Sequence, residues 1–165
     1  MTKADMPSFR RLVEETTPAM YRLAARITGS LEDAEDVLQE SYMKAWDALE
    51  EGRFDGRAQT RTWLYRIVVN GAMDVLRARK RRGRAPDDSL ADAAVEGTAE
   101  ARAALRELSG WLRDLPADQR TALVLKELEG LTSAEIANLM GCSEGAVEQR
   151  LVRARAALRE RSERG

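Results

Sequence analysis

The chain has no histidine and a single cysteine, Cys142. Without imidazole or paired thiols, the common zinc sets, His-based acid–base or triad chemistry and any internal disulfide drop out. Most enzyme classes lose their usual groups with them, so no catalytic residue, metal ligand or cofactor is expected. Aromatic residues make up only 5 %, which argues against a strand-rich fold. No apolar run nears the ~20 residues that span a bilayer. The opening MTKADMPSF lacks the apolar core of a secretory signal, so a cytoplasmic protein with no membrane contact of its own is expected. An excess of either charge is missing too. Twenty-seven basic residues stand against 28 acidic ones, a net charge of −1, so strong general attraction of the free chain to nucleic acid is not expected.

What is present is Ala, Leu, Glu and Arg, the residues of helices. The expectation is an all-α protein whose 165 residues form one ordinary domain or two small ones. Charge is polarised along the first half. Glu32, Asp33, Glu35, Asp36 and Glu40 cluster early, and Arg77, Arg79, Lys80, Arg81, Arg82 and Arg84 cluster late, which suggests two different partners. A first helix is expected after Ser8, interrupted at Pro18 and ended by Gly29. Ser30 caps a second, on which Ala34, Leu38, Tyr42, Ala45, Trp46 and Leu49 form an apolar stripe opposite an acidic face. After the glycine-containing loop EEGRFDGRAQT, a third helix starts near Arg61. It buries Trp63 or Leu64, Ile67, Val68, Gly71, Ala72, Val75 and Leu76 and runs on into the basic cluster.

Residues 83–98, GRAPDDSLADAAVEGT, have the Gly, Pro, Asp and Ser composition of a flexible linker between a first domain, 1–82, and a second, 99–165. About 15 such residues reach at most roughly 50 Å, more than the ~34 Å of a B-DNA turn, so the domains are able to sit over a turn apart on one duplex. In the second domain Leu105, Leu108, Leu112 and Leu115 form a stripe, and Pro116 with Asp118 opens a further helix that ends at Gly130. Thr132 and Glu135 then make a capping box, Gly141 ends that helix, and Ser143 caps the last. These last two helices outline a helix-turn-helix. Val147, Leu151, Ala154 and Leu158 share the inner face. Glu148, Gln149, Val152 and Arg153 point outward, where base edges of a major groove would be met, and Arg150, Arg155 and Arg159 flank them near phosphates. This outline alone leaves a plain αα-hairpin with a solvated charged face equally open.

Three worded stretches, SLEDAEDVLQESYMKAWDAL, TRTWLYRIVVNGAMDVLRARKRR and LPADQRTALVLKELEGLTSAEIANLMGCSEGAVEQRLVRARAAL, decide more. In this order they resemble regions two and four of bacterial sigma-70 family sigma factors of the extracytoplasmic-function group, over nearly the full length. The resemblance implies a region-two helical bundle and a region-four helix-turn-helix in a promoter-selecting subunit. Its partners would be core RNA polymerase through the β′ and β subunits, double- and single-stranded promoter DNA, and an anti-sigma factor.

It assigns polymerase docking to Asp33, Glu35, Asp36, Gln39 and Glu40, where mutual repulsion of carboxylates would be relieved by a basic partner. The alternative for that cluster is a solvated charged face. Minus-ten recognition and melting would fall to Phe54, Trp63, Asn70, Arg77 and Lys80. There Asn70 offers donors and acceptors to a flipped base, whereas Trp63 starts the buried stripe and fits the core better than a stacking platform. Minus-thirty-five contacts would fall to Ser143, Gly145, Glu148, Gln149, Arg150, Val152 and Arg153. Glu148 departs from the basic or small polar residue common in relatives, which leaves the promoter sequence open. Two rivals remain at this point: a one-component transcription regulator binding operators as a dimer, which would need a ligand or dimerisation domain, and a protein-binding adaptor, which would need only the acidic helix.

Overall fold

The structure, a computed structural model, describes residues 5–54, 59–83 and 97–165. Among them are seven helices and no strand: α1 (Met6–Thr28), α2 (Leu31–Glu50), α3 (Thr60–Arg82), α4 (Ala99–Asp114), α5 (Ala117–Glu127), α6 (Ser133–Met140) and α7 (Glu144–Arg164). The all-α expectation holds. Most of the expected linker lies outside the described residues.

Helix α1 corrects the sequence expectation twice. It begins earlier, because Asp5 accepts from the Ser8 N–H at 2.9 Å and caps it. It also runs unbroken through Pro18. The turn before the proline is held from the side. The Thr16 and Thr17 hydroxyls each donate to the carbonyl four residues back at 2.6 Å, and both lie within hydrogen-bond reach of the Tyr42 hydroxyl on α2. Packing of this kind offsets the cost of a mid-helix proline, about 3 kcal/mol. Gly29, at φ 72°, ends α1 with its N–H on the Ala25 carbonyl, and Ser30 caps α2 by accepting from the Asp33 N–H at 3.2 Å.

Helices α1, α2 and α3 pack on one another as a bundle. At Gly71 α3 faces α2 at ordinary contact distance, since a Cβ there would sit 3.4 Å from Ser41 Oγ and 3.5 Å from Val37 Cγ1. The buried side of α3 is wider than one stripe: Leu64, Val68, Val69, Ala72 and Met73 are all buried. The reason is that α3 is covered twice, by α1 and α2 and again by α5 and α6 from the second half, while α1 also meets α5. The two halves therefore share one continuous hydrophobic core. Fully burying side chains such as Leu64 and Ile136 contributes about 1.5–3 kcal/mol each.

The second half closes around α7, whose Val147, Leu151 and Ala154 are buried against α5 and α6. The capping box forms as expected. Glu135 N–H donates to Thr132 Oγ1 at 3.2 Å, and Thr132 N–H donates to Glu135 Oε2 at 3.0 Å. The stripe expected on α4 is buried only toward its end: Leu115, just past the helix, is buried and Leu112 packs against the core, whereas Leu105 and Leu108 are exposed.

Candidate protein and nucleic-acid interfaces

On α2, Glu35, Asp36, Gln39 and Glu40 are exposed on one face, and Glu40 is paired along the helix with Lys44 at 3.0 Å. Asp33 is the exception among the residues expected there. It is buried at 7 % exposure and accepts from Arg79 of α3, which also donates to the Thr28 carbonyl at 3.0 Å. The start of α2 lies over the end of α3, so Asp33 turns inward to neutralise a cation that would otherwise be buried alone. Asp33 is thus a structural acid, and Arg79 leaves the solvent-facing basic run. Asp36 and Glu40 line the groove between α2 and α3 together with Arg81 and Arg82. Carboxylates and guanidinium groups meet along that groove.

Further along α3, Asn70, Arg77 and Lys80 are exposed. Arg77 lies 3.5 Å from Asp74 in a solvated pair. Trp63 is half-buried against the core, and its indole stacks at a tilt on Phe54, ring centroids 4.7 Å apart. The two rings named for the minus-ten element are therefore in contact with each other.

On the helix-turn-helix, Ser143 caps α7 by accepting from the Ala146 N–H at 3.1 Å. Gly145, Glu148, Gln149, Val152 and Arg153 are exposed. Val152, a large apolar side chain, is 64 % exposed, which single surface hydrophobics tolerate but contact surfaces use. Two of the expected contacts are engaged internally. Glu148 accepts from the Ser133 hydroxyl at the start of α6. Arg150 donates to Cys142 Sγ at 3.2 Å and pairs with Asp118 at 3.2 Å. Arg150 thus braces the turn against α5, while Gln149, Val152 and Arg153 project freely. Arg155 pairs with Glu127 at 2.9 Å.

The polar residues along the seam between the halves were not singled out by the sequence reading. Arg26 of α1 pairs with Glu129 at 2.8 Å, and Arg66 of α3 donates to Asn138 of α6 at 2.6 Å. Burial, and then the Glu129 carboxylate, hold the Tyr65 hydroxyl well above its usual range. Arg120 of α5 is buried at 4 % exposure with its guanidinium against Gly29, where a Cβ would stand 2.6 Å from Nη2. Burial, then Arg79, then Arg113 push that guanidinium down to about 10. No periodicity marks such residues, since each belongs to the polar part of its own helix and is buried only by the other half.

Comparison with known proteins agrees with this layout. Residues 12–82 match the family model described as Sigma-70 region 2, and residues 102–158 match Sigma-70, region 4. The chain is 37 % identical to the ECF RNA polymerase sigma-E factor of Escherichia coli (strain K12), covering 94 % of this chain and 87 % of that protein. It is equally identical to the RNA polymerase sigma-H factor of Pseudomonas aeruginosa, over 94 % and 86 %. Among solved structures, CnrH in complex with the cytosolic domain of CnrY superposes with a TM-score of 0.66 at 28 % identity, covering 97 % of this chain and 90 % of that one. The sigma factor RpoE in complex with the anti-sigma factor NepR from Bartonella quintana gives 0.63 at 26 %, over 93 % and 95 %. The chain belongs to the sigma-70 family of RNA polymerase sigma factors, in the extracytoplasmic-function group.

Proposed function

We propose that this sigma factor attaches to core RNA polymerase through the acidic face of α2 and reads a bipartite promoter with α3 and α7, performing no catalytic step of its own. The exposed carboxylates Glu35, Asp36 and Glu40, with Gln39, carry the attachment. Among the described residues Glu40 pairs with Lys44, and Asp36 and Glu40 share a groove with Arg81 and Arg82; a basic surface on the β′ subunit neutralises the exposed face further. Asn70 faces the melted minus-ten strand, and Arg77 and Lys80 lie along its upstream phosphates. Residues 1–82 form the unit that does this, and residues 99–165 read the minus-thirty-five element after a linker at 83–98. Gln149, Val152 and Arg153 reach base edges, with Gly145 permitting close approach of the backbone. Ser143, Glu148 and Arg150 position that face through the cap, the Ser133 contact and the Asp118 pair.

The observation that carries this reading is the exposed acidic face of α2, Glu35, Asp36, Gln39 and Glu40, on a different helix from the exposed recognition face of α7, Gln149, Val152 and Arg153. The relative solved with an anti-sigma factor supports control of this chain by such a partner, acting in the cytoplasm. Among the described residues, no helix is long and apolar enough to cross a membrane. The experiment is a core-polymerase capture assay with Asp36→Lys/Glu40→Lys and Arg153→Ala. The first variant is expected to lose core association. The second is expected to keep it and lose upstream promoter recognition. Core binding that survives Asp36→Lys/Glu40→Lys removes the acidic face from the account.

A further inference from the structure

With α7 taken, as above, for the helix that meets the upstream element, we propose that Val152 reads the C5-methyl group of a thymine there. Gly145, Val152 and Ala156 follow one another at spacings of seven and four, which sets them on one line along the helix, and all three are exposed. The two edges of that line differ. On one edge Glu148 accepts from the Ser133 hydroxyl and Arg155 pairs with Glu127 at 2.9 Å. On the other, Gln149 and Arg153 are exposed and their side chains project freely. The outward face of α7 is thus a low apolar midline, with one polar edge tied back to the fold and one left to a partner.

Nothing inside the fold calls for the midline residues. Val152 is 64 % exposed, so the core does not use it, and a β-branched residue is a weak helix former. Gly145 is the independent observation. It lies inside α7, is not among the glycines with positive φ, and a Cβ there would meet only Ser143 Oγ at 3.9 Å, an ordinary contact. Glycine weakens a helix relative to alanine, so its use here lies in what it leaves open, a backbone that a partner is able to approach closely. Ala156 keeps the surface low on the far side of Val152. In the major groove the bases present hydrogen-bonding edges and one apolar feature, the thymine methyl, which short apolar side chains meet. A valine has no donor or acceptor to offer the other edges, and it is too short to reach the methyl unless the helix lies deep. Gly145 and Ala156 allow that depth, and Gln149 and Arg153 then reach the neighbouring polar edges from the free side.

The test uses the full chain with core polymerase on a duplex promoter library randomised through the upstream element. The best-bound sequence is remade with deoxyuridine in place of each thymidine in turn, which removes one C5-methyl and no hydrogen-bonding group. At one position the exchange is expected to weaken binding about fourfold, the worth of one buried methyl. Val152→Ala should keep the parent Tm and bind the thymidine and deoxyuridine duplexes equally at that position, whereas Arg153→Ala should weaken both and keep their ratio. Gly145→Ala should raise Tm by ~1–3 °C and yet weaken binding about fivefold or more, because its methyl enters the contact. A selected site without thymine, no position sensitive to deoxyuridine, a sensitivity that survives Val152→Ala, or parental binding by Gly145→Ala overturns the methyl contact while α7 keeps its role. Unchanged upstream recognition by Arg153→Ala instead removes α7 from the promoter, and the methyl contact with it.

Discussion

Asp33 and Asp36 lie three residues apart in the same acidic stretch, yet the structure gives them opposite jobs, and removing each in turn separates those jobs. The Asp33 and Arg79 side chains are both 11 % exposed, whereas Asp36 is exposed on the outer face of α2. Asp33→Ala leaves the Arg79 guanidinium in place without its carboxylate. Breaking a buried pair on one side costs about 3–5 kcal/mol. The residual solvent access and the remaining bond from Arg79 to the Thr28 carbonyl at 3.0 Å place this case near the lower end, about 3 kcal/mol. For a protein of this length that is a fall in Tm of ~6–12 °C, a large part of a total stability of roughly 5–15 kcal/mol. Replacing both partners, Asp33→Leu with Arg79→Met, removes the charges together and should recover most of the loss. Asp36→Lys should change stability by no more than about 0.5 kcal/mol while weakening capture by core polymerase. Urea unfolding followed by circular dichroism measures the first quantity and a core-binding titration the second. The reasoning is refuted if Asp33→Ala loses less than about 1 kcal/mol, or if Asp36→Lys destabilises the chain as much as Asp33→Ala does.

Other consequences are equally open to measurement. Gly29→Ala puts a Cβ at φ 72° and 2.6 Å from Arg120 Nη2, so it should destabilise the chain by about 1–2 kcal/mol in thermal unfolding. Leu151→Ala, which empties a site 1 % exposed, should cost about 2–5 kcal/mol and loosen the helix-turn-helix without removing a DNA-facing group. Tyr65 has a raised pKa in the fold, so the unfolded chain releases that proton first. Its contribution is complete below pH ~10 and is lost as pH rises above that, and Tyr65→Phe should flatten the alkaline fall in stability seen by chemical denaturation. Arg153→Ala should weaken upstream promoter recognition by about 1–3 kcal/mol in a competition assay with polymerase present.

How far these assignments were legible in the sequence depended on whether a residue's environment is local. The caps at Ser30, Thr132 and Ser143 and the ends at Gly29 and Gly141 are set within three or four residues, and each formed where the sequence placed it. The inner face of α7 followed from its spacing, and so did most of the acidic face of α2. Asp33 failed because its position in the acidic stretch says nothing of a guanidinium 46 residues later. Pro18 failed for a related reason: the support for that turn comes from Tyr42 on another helix. Arg120 and Tyr65 were invisible because packing of the two halves buries them, and neither half announces that packing in its own periodicity. The start of the α4 stripe is the reverse case, with Leu105 and Leu108 exposed although the same pattern brings Leu112 and Leu115 to the core.

The account rests on a chain that holds the polymerase with carboxylates and the promoter with cations and a recognition helix. Run-off transcription by purified core polymerase, with and without this protein on a bipartite promoter, tests it most directly. The expected result is a discrete transcript that appears only when the protein is added and disappears with Asp36→Lys/Glu40→Lys. Initiation at the same sites and rate in its absence would contradict the account.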